Sequence, residues 1–432
     1  MSSAKKTSLV GAIAVGVGGM VGGGIFAVLG EAVSLAHGAT PVAFLIAGVI
    51  ALLTSIAYSR LSVAYQSRGG TVAFVDAAFG NNLASGSANV LLWLSYLVTI
   101  ALYASAFASY AQTFFPGSSG LVRHLLISAA IVVPTLVNLL SASFVAKSET
   151  TIVALKLVLL GVIIVFSFRF VDTGRVAPAR WGSAMSIVAS GMVIFVAYEG
   201  FELIANASED ISNPARNLPR AFLSSVLIVI ALYVVIALVT VGTVPETTLQ
   251  SAKDYALAVA AQPALGHAGF VIVTVAALLA TLSAINATVY GNARLGYVLA
   301  KDGELPEPFD RQVWNEPVTG VLVTAAISLL IANTIDLTEI AIIGSASFLL
   351  IFALVNASAM KLRKNIGGVS VVYSVAAALC LAALVVLLVQ TWETNPWGVA
   401  VFAGFVVFSV LFELIYGRLV RGHFMGRRYE KQ

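Results

Sequence analysis

Apolar stretches of about 20 residues recur along this chain with short polar interruptions, and each is long enough to cross a bilayer as a helix. They fall near 8–37, 40–65, 83–114, 122–141, 147–170, 184–209, 219–243, 266–300, 317–333, 336–361, 369–391 and 396–418. The pattern predicts an all-α integral membrane protein with 12 transmembrane helices. No long hydrophilic insertion or low-complexity linker separates the stretches, so residues 1–432 read as a single membrane domain. The first stretch follows Lys5 and Lys6 in the manner of a secretory signal. It runs well past the usual length without a small-residue cleavage site, which predicts a retained first helix.

Two of the stretches are poor continuous helices. The first contains VGVGGMVGGGIF, and each glycine weakens a helix by about 1 kcal/mol relative to alanine. Three in succession predict an unwound stretch at Gly22, Gly23 and Gly24. The sixth contains FVAYEGFE, where Gly200 and the carboxylates Glu199 and Glu202 predict a second break near Ala197 to Gly200. Interrupted helices at corresponding positions of two halves point to a transporter's substrate site, because broken backbone at this depth must line a cavity or be covered by protein. Gly18/Gly22 and Gly19/Gly23 are also GxxxG pairs, which makes close helix packing the competing explanation. A dinucleotide loop does not fit, since the glycine pattern departs from GxGxxG and no βαβ unit surrounds it.

Composition agrees with the span pattern: 59% of residues are hydrophobic, 10% are charged, and the mean hydropathy is +0.97. Of the 24 Lys and Arg residues, only Arg123, Arg169, Arg175, Arg180 and Lys253 fall on the side opposite the termini. The positive-inside rule then places both termini in the cytoplasm and the chain in the cell membrane. The sequence pI near 9.1 follows from basic loops beside anionic lipid and gives no case for nucleic-acid binding. Cys380 is the sole cysteine, and His37, His124, His267 and His423 are scattered near span ends, so no metal site is expected. No Walker motif is present, so any energy source is an ion gradient or exchange.

Lys156 lies well within the apolar run 152–168. An ammonium at membrane depth costs several kcal/mol unless it finds partners, water or a neutral state, so its position is itself a functional signal. The plainer alternative is a lysine that snorkels to the interface: Glu149 is seven residues away, about 10 Å along a helix.

The runs GGMVGGGIF, AYEGFELIANASEDISNPARNLPRA and SAINATVYGNARLGYVLAKDGELPEPF, in this order, resemble the amino acid-polyamine-organocation (APC) superfamily of permeases. The likeness spans essentially the whole chain and is nearest to the proton-coupled amino acid transporters of broad specificity. It implies a LeuT-like fold, with a 5+5 inverted-repeat core over 8–361 and two peripheral helices over 369–418. It also implies amino acid substrates, protons as coupling ions, surrounding lipid, no cofactor and no obligate protein partner. The substrate carboxylate is expected at the amides of Gly22, Gly23, Gly24 and Ile25, and the ammonium at the carbonyls of Met20, Val196, Ala197 and Glu199. Many relatives carry a serine or alanine among the three glycines; here the amides stand alone.

In proton-coupled members a fifth-helix lysine stands where sodium-coupled relatives bind sodium, and Lys156 falls on that position. Its expected partners are the carbonyls of Gly16 and Val17 and the hydroxyl of Ser283. A desolvated ammonium can lose its proton reversibly, so the same group can act as a coupling device. Glu202 is expected to support the broken sixth helix, Tyr198 and Phe195 to pack or gate beside the site, and Asn286 and Thr288 to line it. The resemblance implies proton-coupled symport by alternating access; exchange of amino acids or polyamines, and uniport, remain open. A channel lacks a repeated filter motif, and an enzyme lacks a convergent set of reactive groups.

Overall fold

A computed structural model describes residues 6–67, 69–140, 142–310 and 317–419. Lys5, Arg68, Arg311, His423 and the basic residues beyond 420, used above for orientation or metal chemistry, lie outside the described residues. Among the described residues, ten helices are long and apolar enough to cross a membrane. The bent pair Leu9–Met20 and Gly24–Ala36 makes an eleventh span, with 47° between its halves. The shorter apolar helix Val318–Thr334 occupies the ninth expected stretch. We number these twelve segments spans 1 to 12 in chain order.

Burial separates them into core and periphery. The apolar windows of span 3 (Leu83–Gln112) and span 6 (Ala184–Asn206) are 94% and 89% buried, whereas those of span 11 (Ser370–Thr394) and span 12 (Pro396–Gly417) are 33% and 22%. The windows of span 4 (Gly120–Leu140) and span 5 (Ala142–Phe168) are equally open, at 28% each, so low burial is shared by four spans and does not by itself set the last two apart. Span 2 (Thr40–Ala64) packs along span 7 (Pro214–Thr243). Span 8 (Gln262–Lys301) packs against span 3 and span 5 (Ala142–Phe168), and span 10 (Leu337–Lys361) against spans 3 and 11. At 40 residues span 8 is too long for one crossing; Gly266, at φ 59°, breaks it near the start of the expected stretch.

Both expected interruptions are present, in different forms. Span 1 stops being helical between Met20 and Gly24. Span 6 stays wound but tightens to 3₁₀ from Ile194 to Glu202, nine residues in a form that seldom exceeds three or four. The expected unwinding near Ala197 to Gly200 is thus a change of helix type. A 3₁₀ helix keeps a hydrogen bond per residue, which hydrocarbon surroundings demand.

The two interruptions touch backbone to backbone. A methyl group on Gly200 would lie 2.2 Å from the Gly19 carbonyl carbon, and one on Gly24 would lie 2.8 Å from the Ala197 Cα. Close packing and helix interruption are therefore joint uses of the same glycines. Gly200→Val should lower the melting temperature of the detergent-purified protein sharply, since overpacking costs about 1–3 kcal/mol even where neighbours can shift. Gly161→Ala, which meets nothing within 4 Å, is the control. Equal melting curves for the two variants would contradict the contact.

Candidate functional site

Lys156, on span 5 (Ala142–Phe168), is 1% exposed and donates from Nζ to the Gly18 carbonyl at 3.0 Å. That buried bond, directed into the bundle, differs from the interfacial placement a snorkelling lysine would take. The acceptor also lies one to two residues beyond the expected Gly16 and Val17. Val17's carbonyl already receives the Val21 amide at 2.8 Å, the last closure of the first half-helix. Gly16 is pressed against span 7, where a methyl group would come within 2.7 Å of the Ser225 hydroxyl. Gly18 supplies the next carbonyl along, and the ammonium takes it.

Tyr233 on span 7 joins the two interrupted helices. Its hydroxyl lies 2.6 Å from the Met20 carbonyl and 3.2 Å from the Ala197 carbonyl, both among the expected ammonium ligands. Two backbone acceptors from different spans thus converge on one hydroxyl. Span 6 has a second clip from span 10, where Ser345 Oγ donates to the Val193 carbonyl at 2.7 Å and accepts the Val196 amide at 2.9 Å. The expected Val196 position is therefore engaged through its N–H.

The expected carboxylate cradle is covered from span 3. The Tyr103 ring lies directly over Gly23, so close that a methyl group there would be 2.3 Å from a ring carbon. Gly22 faces Ala284 of span 8 in the same way. Gly22, Gly23, Gly24 and Ile25 are all buried. Below them a cavity of about 10 Å³, room for about one water, is lined by Gly18, Gly19, Tyr96, Tyr103, Glu199, Ser283 and Thr288, among others. Ser283 and Thr288 thus share a cavity with the lysine's acceptor, whereas the Asn286 side chain pairs with Asn138 of span 4 (Gly120–Leu140) at 2.8 Å.

The two carboxylates of span 6 have distinct surroundings. Glu199 Oε1 lies 3.5 Å from the Tyr103 hydroxyl and borders the cavity. Glu202 accepts from the Tyr58 hydroxyl at 3.0 Å and from Thr71 at 3.3 Å. Its donors are side-chain hydroxyls of span 2 and of a connector helix, Thr71–Phe79, so the expected support of the sixth helix comes from outside it. Tyr198 donates to the Phe44 carbonyl at 2.9 Å, and Phe195 packs on Phe352 with centroids 5.8 Å apart. Phe26 meets Tyr110 edge-on at 5.9 Å. These aromatics brace the interrupted helices.

Tyr96, Tyr103, Tyr233 and Ser345 escaped the sequence reading, although the three tyrosines left signals. Tyr96, Tyr103 and Tyr110 recur every seven residues, which places three hydroxyls along one face of span 3. Tyr233 is a lone aromatic hydroxyl in the apolar run LIVIALYVVIALV. Ser345 sits in a plain GSAS run, and only the fold brings it to span 6.

Polar contacts hold both ends of the bundle. At the end remote from the N-terminus, Lys253 pairs with Glu31 and donates to Thr338 at 3.0 Å. His37 Nδ1 lies 2.5 Å from Glu246, and Arg123 is 3.7 Å from Asp254. At the other end the Thr7 amide donates to the Asp210 carbonyl at 2.7 Å, and the Ser212 amide to the Thr7 carbonyl at 2.9 Å.

Two interrupted spans around a buried site are a transporter's arrangement, and sequence comparison decides which kind. The family profile described as "Amino acid permease" matches residues 8–417. The chain belongs to the amino acid permease family. The permease is 35% identical to an uncharacterized protein of Methanocaldococcus jannaschii, over 99% of each chain. It is 32% identical to the inner membrane transport protein YbaT of Escherichia coli, over 96% of this chain and 97% of that protein. The branched-chain amino acid permease BcaP of Bacillus subtilis shares 22% identity over 81% of this chain and 79% of its own.

Tyr233→Phe keeps the ring but deprives the buried Met20 carbonyl of its donor, which costs about 1–3 kcal/mol. The permease variant should melt measurably lower than wild type. An unchanged melting curve would show that the hydroxyl does not hold the two spans together.

Proposed function

We propose that this permease is a proton-coupled amino acid symporter that works by alternating access, with Lys156 as the coupling group. The observation that carries the reading is the bond from the Lys156 ammonium to the Gly18 carbonyl at 3.0 Å, three residues before the interruption of span 1. A proton on this nitrogen strengthens the tie between spans 1 and 5, and its loss weakens it. A coupling ion needs such a differential affinity for two conformations.

The substrate carboxylate binds the amides of Gly22, Gly23, Gly24 and Ile25 at the start of the second half-helix, where unpaired N–H groups and the helix dipole favour an anion. The ammonium binds where the Met20 and Ala197 carbonyls converge, with Val196 and Glu199 contributing from span 6. Their convergence on the Tyr233 hydroxyl supports this assignment, because acceptors that can share one donor can share another. Tyr103, over Gly23, has to swing aside for substrate entry.

The contacts at the bundle ends act as alternate gates. Solvent-accessible ion pairs such as His37–Glu246 and Arg123–Asp254 are worth little, about 0–1 kcal/mol each, so the end remote from the N-terminus opens at modest cost. The basic-residue asymmetry supports cytoplasmic termini, with residues 1–432 as one domain, 8–361 as its inverted-repeat core and 369–418 as peripheral helices. Glu199 beside the cavity favours substrates with a cationic side chain, where the name of BcaP points to branched-chain ones.

Proteoliposomes loaded at neutral pH and placed in acidic medium should accumulate a labelled amino acid above its external concentration. Lys156→Ala should abolish that accumulation while retaining counterflow exchange of the same amino acid. Accumulation by Lys156→Ala equal to wild type would overturn the coupling role. Exchange without accumulation in the wild type would make the permease an exchanger.

A further inference from the structure

A second cavity, of about 840 Å³ and lined by none of the residues of the interrupted helices, lies where the chain enters span 3. Its walls are apolar: Leu83 and Leu91 of span 3, Leu350 and Leu354 of span 10, and Val406 and Val410 of span 12. Gly80, Ala84 and Val410 are exposed among the lining residues, so the space opens at the bundle surface. Its volume is in the range of about 300–1,000 Å³ found for ligand pockets.

The mouth is polar, with no charged side chain in the lining itself, a lysine beside it and the Glu413 carboxylate of span 12 against Gly86 further in. Asn81 and Asn82 line it beside Phe79, and the Lys361 ammonium lies 4.8 Å from the centre of the Phe79 ring. Lys361 is exposed at the end of span 10, and Arg363 and Lys364 follow it in exposed positions. Asp76, an acidic group on the same connector helix, accepts the Asn89 amide at 3.1 Å. From Lys361 back to Leu350 is 11 residues, about 16 Å of helix. The site thus joins an apolar slot, lined on span 10 by Leu350, Ile351 and Leu354, to cations that begin about two helical turns further along at Lys361.

We infer that this cavity binds an anionic glycerophospholipid, with its phosphate beside Lys361 and an acyl chain between spans 3, 10 and 12. Basic clusters immediately outside a membrane span attract anionic headgroups, and the apolar slot adds chain burial. The lipid would touch the two elements that brace span 6. The connector helix carries Thr71, which donates to Glu202 at 3.3 Å, and span 10 carries Ser345, which clips Val193 and Val196. Its occupancy therefore reaches the substrate site through one short helix and one span.

Native mass spectrometry of the full-length protein, with phosphatidylglycerol or phosphatidylcholine added in turn, tests the assignment. Wild type should retain phosphatidylglycerol preferentially, Lys361→Gln should lower that retention about fivefold, and Ala88→Phe, which fills the slot, should lower retention of both lipids. Equal retention of the two lipids by wild type and Lys361→Gln would overturn it. So would retention that Ala88→Phe leaves unchanged, or a lipid-free dimer of wild type showing that a second copy covers this face.

Discussion

A carbonyl released from a helix inside the hydrocarbon layer must find another donor, and this constraint organises the centre of the permease. Span 1 leaves its helix after Met20, and the carbonyls around that point are met by an ammonium and a phenol. Lys156 takes Gly18, and Tyr233 takes Met20 together with Ala197. Those two side chains draw spans 1, 5, 6 and 7 onto one point. In the function proposed above, satisfying the interrupted backbone and building a binding site become the same act at Tyr233, whose place on the Met20 and Ala197 carbonyls the substrate ammonium would take.

Glycine makes this geometry possible by removing bulk. Gly19 and Gly200 bring the two interrupted spans into backbone contact, and Gly23 lets the Tyr103 ring close over the turn. Span 6 shows a second solution to the same constraint. Its 3₁₀ winding keeps hydrogen bonds while altering which carbonyls point inward, and Ser345 secures the transition from α to 3₁₀ at Val193 and Val196. The site therefore rests on one span that is cut and another that is overwound. Span 10 braces the latter from outside the pair.

Much of this was legible in the sequence because membrane burial imposes strong local signals. The glycine run of span 1 and the carboxylates of span 6 announce themselves against apolar surroundings, and all twelve expected stretches find helices. Lys156 stood out for the same reason. Its acceptor was off by one to two residues, since the last helical closure, at Val17, is a matter of backbone geometry that side-chain identity does not encode. Tyr233 and Ser345 were missed because a hydroxyl in a membrane helix is ordinary until the fold sets it against a freed carbonyl. The nine-residue 3₁₀ segment was misjudged as unwinding because glycine and glutamate report only that a regular α-helix is disfavoured.

The central claim is that the proton on Lys156 and the substrate act on one conformational equilibrium. It is tested most directly by recording proton entry with a pH-sensitive dye trapped in proteoliposomes when an amino acid is added outside, with the membrane potential clamped. The account predicts amino acid-dependent proton entry for wild type and none for Lys156→Ala. Proton entry of equal size through both proteins would contradict it.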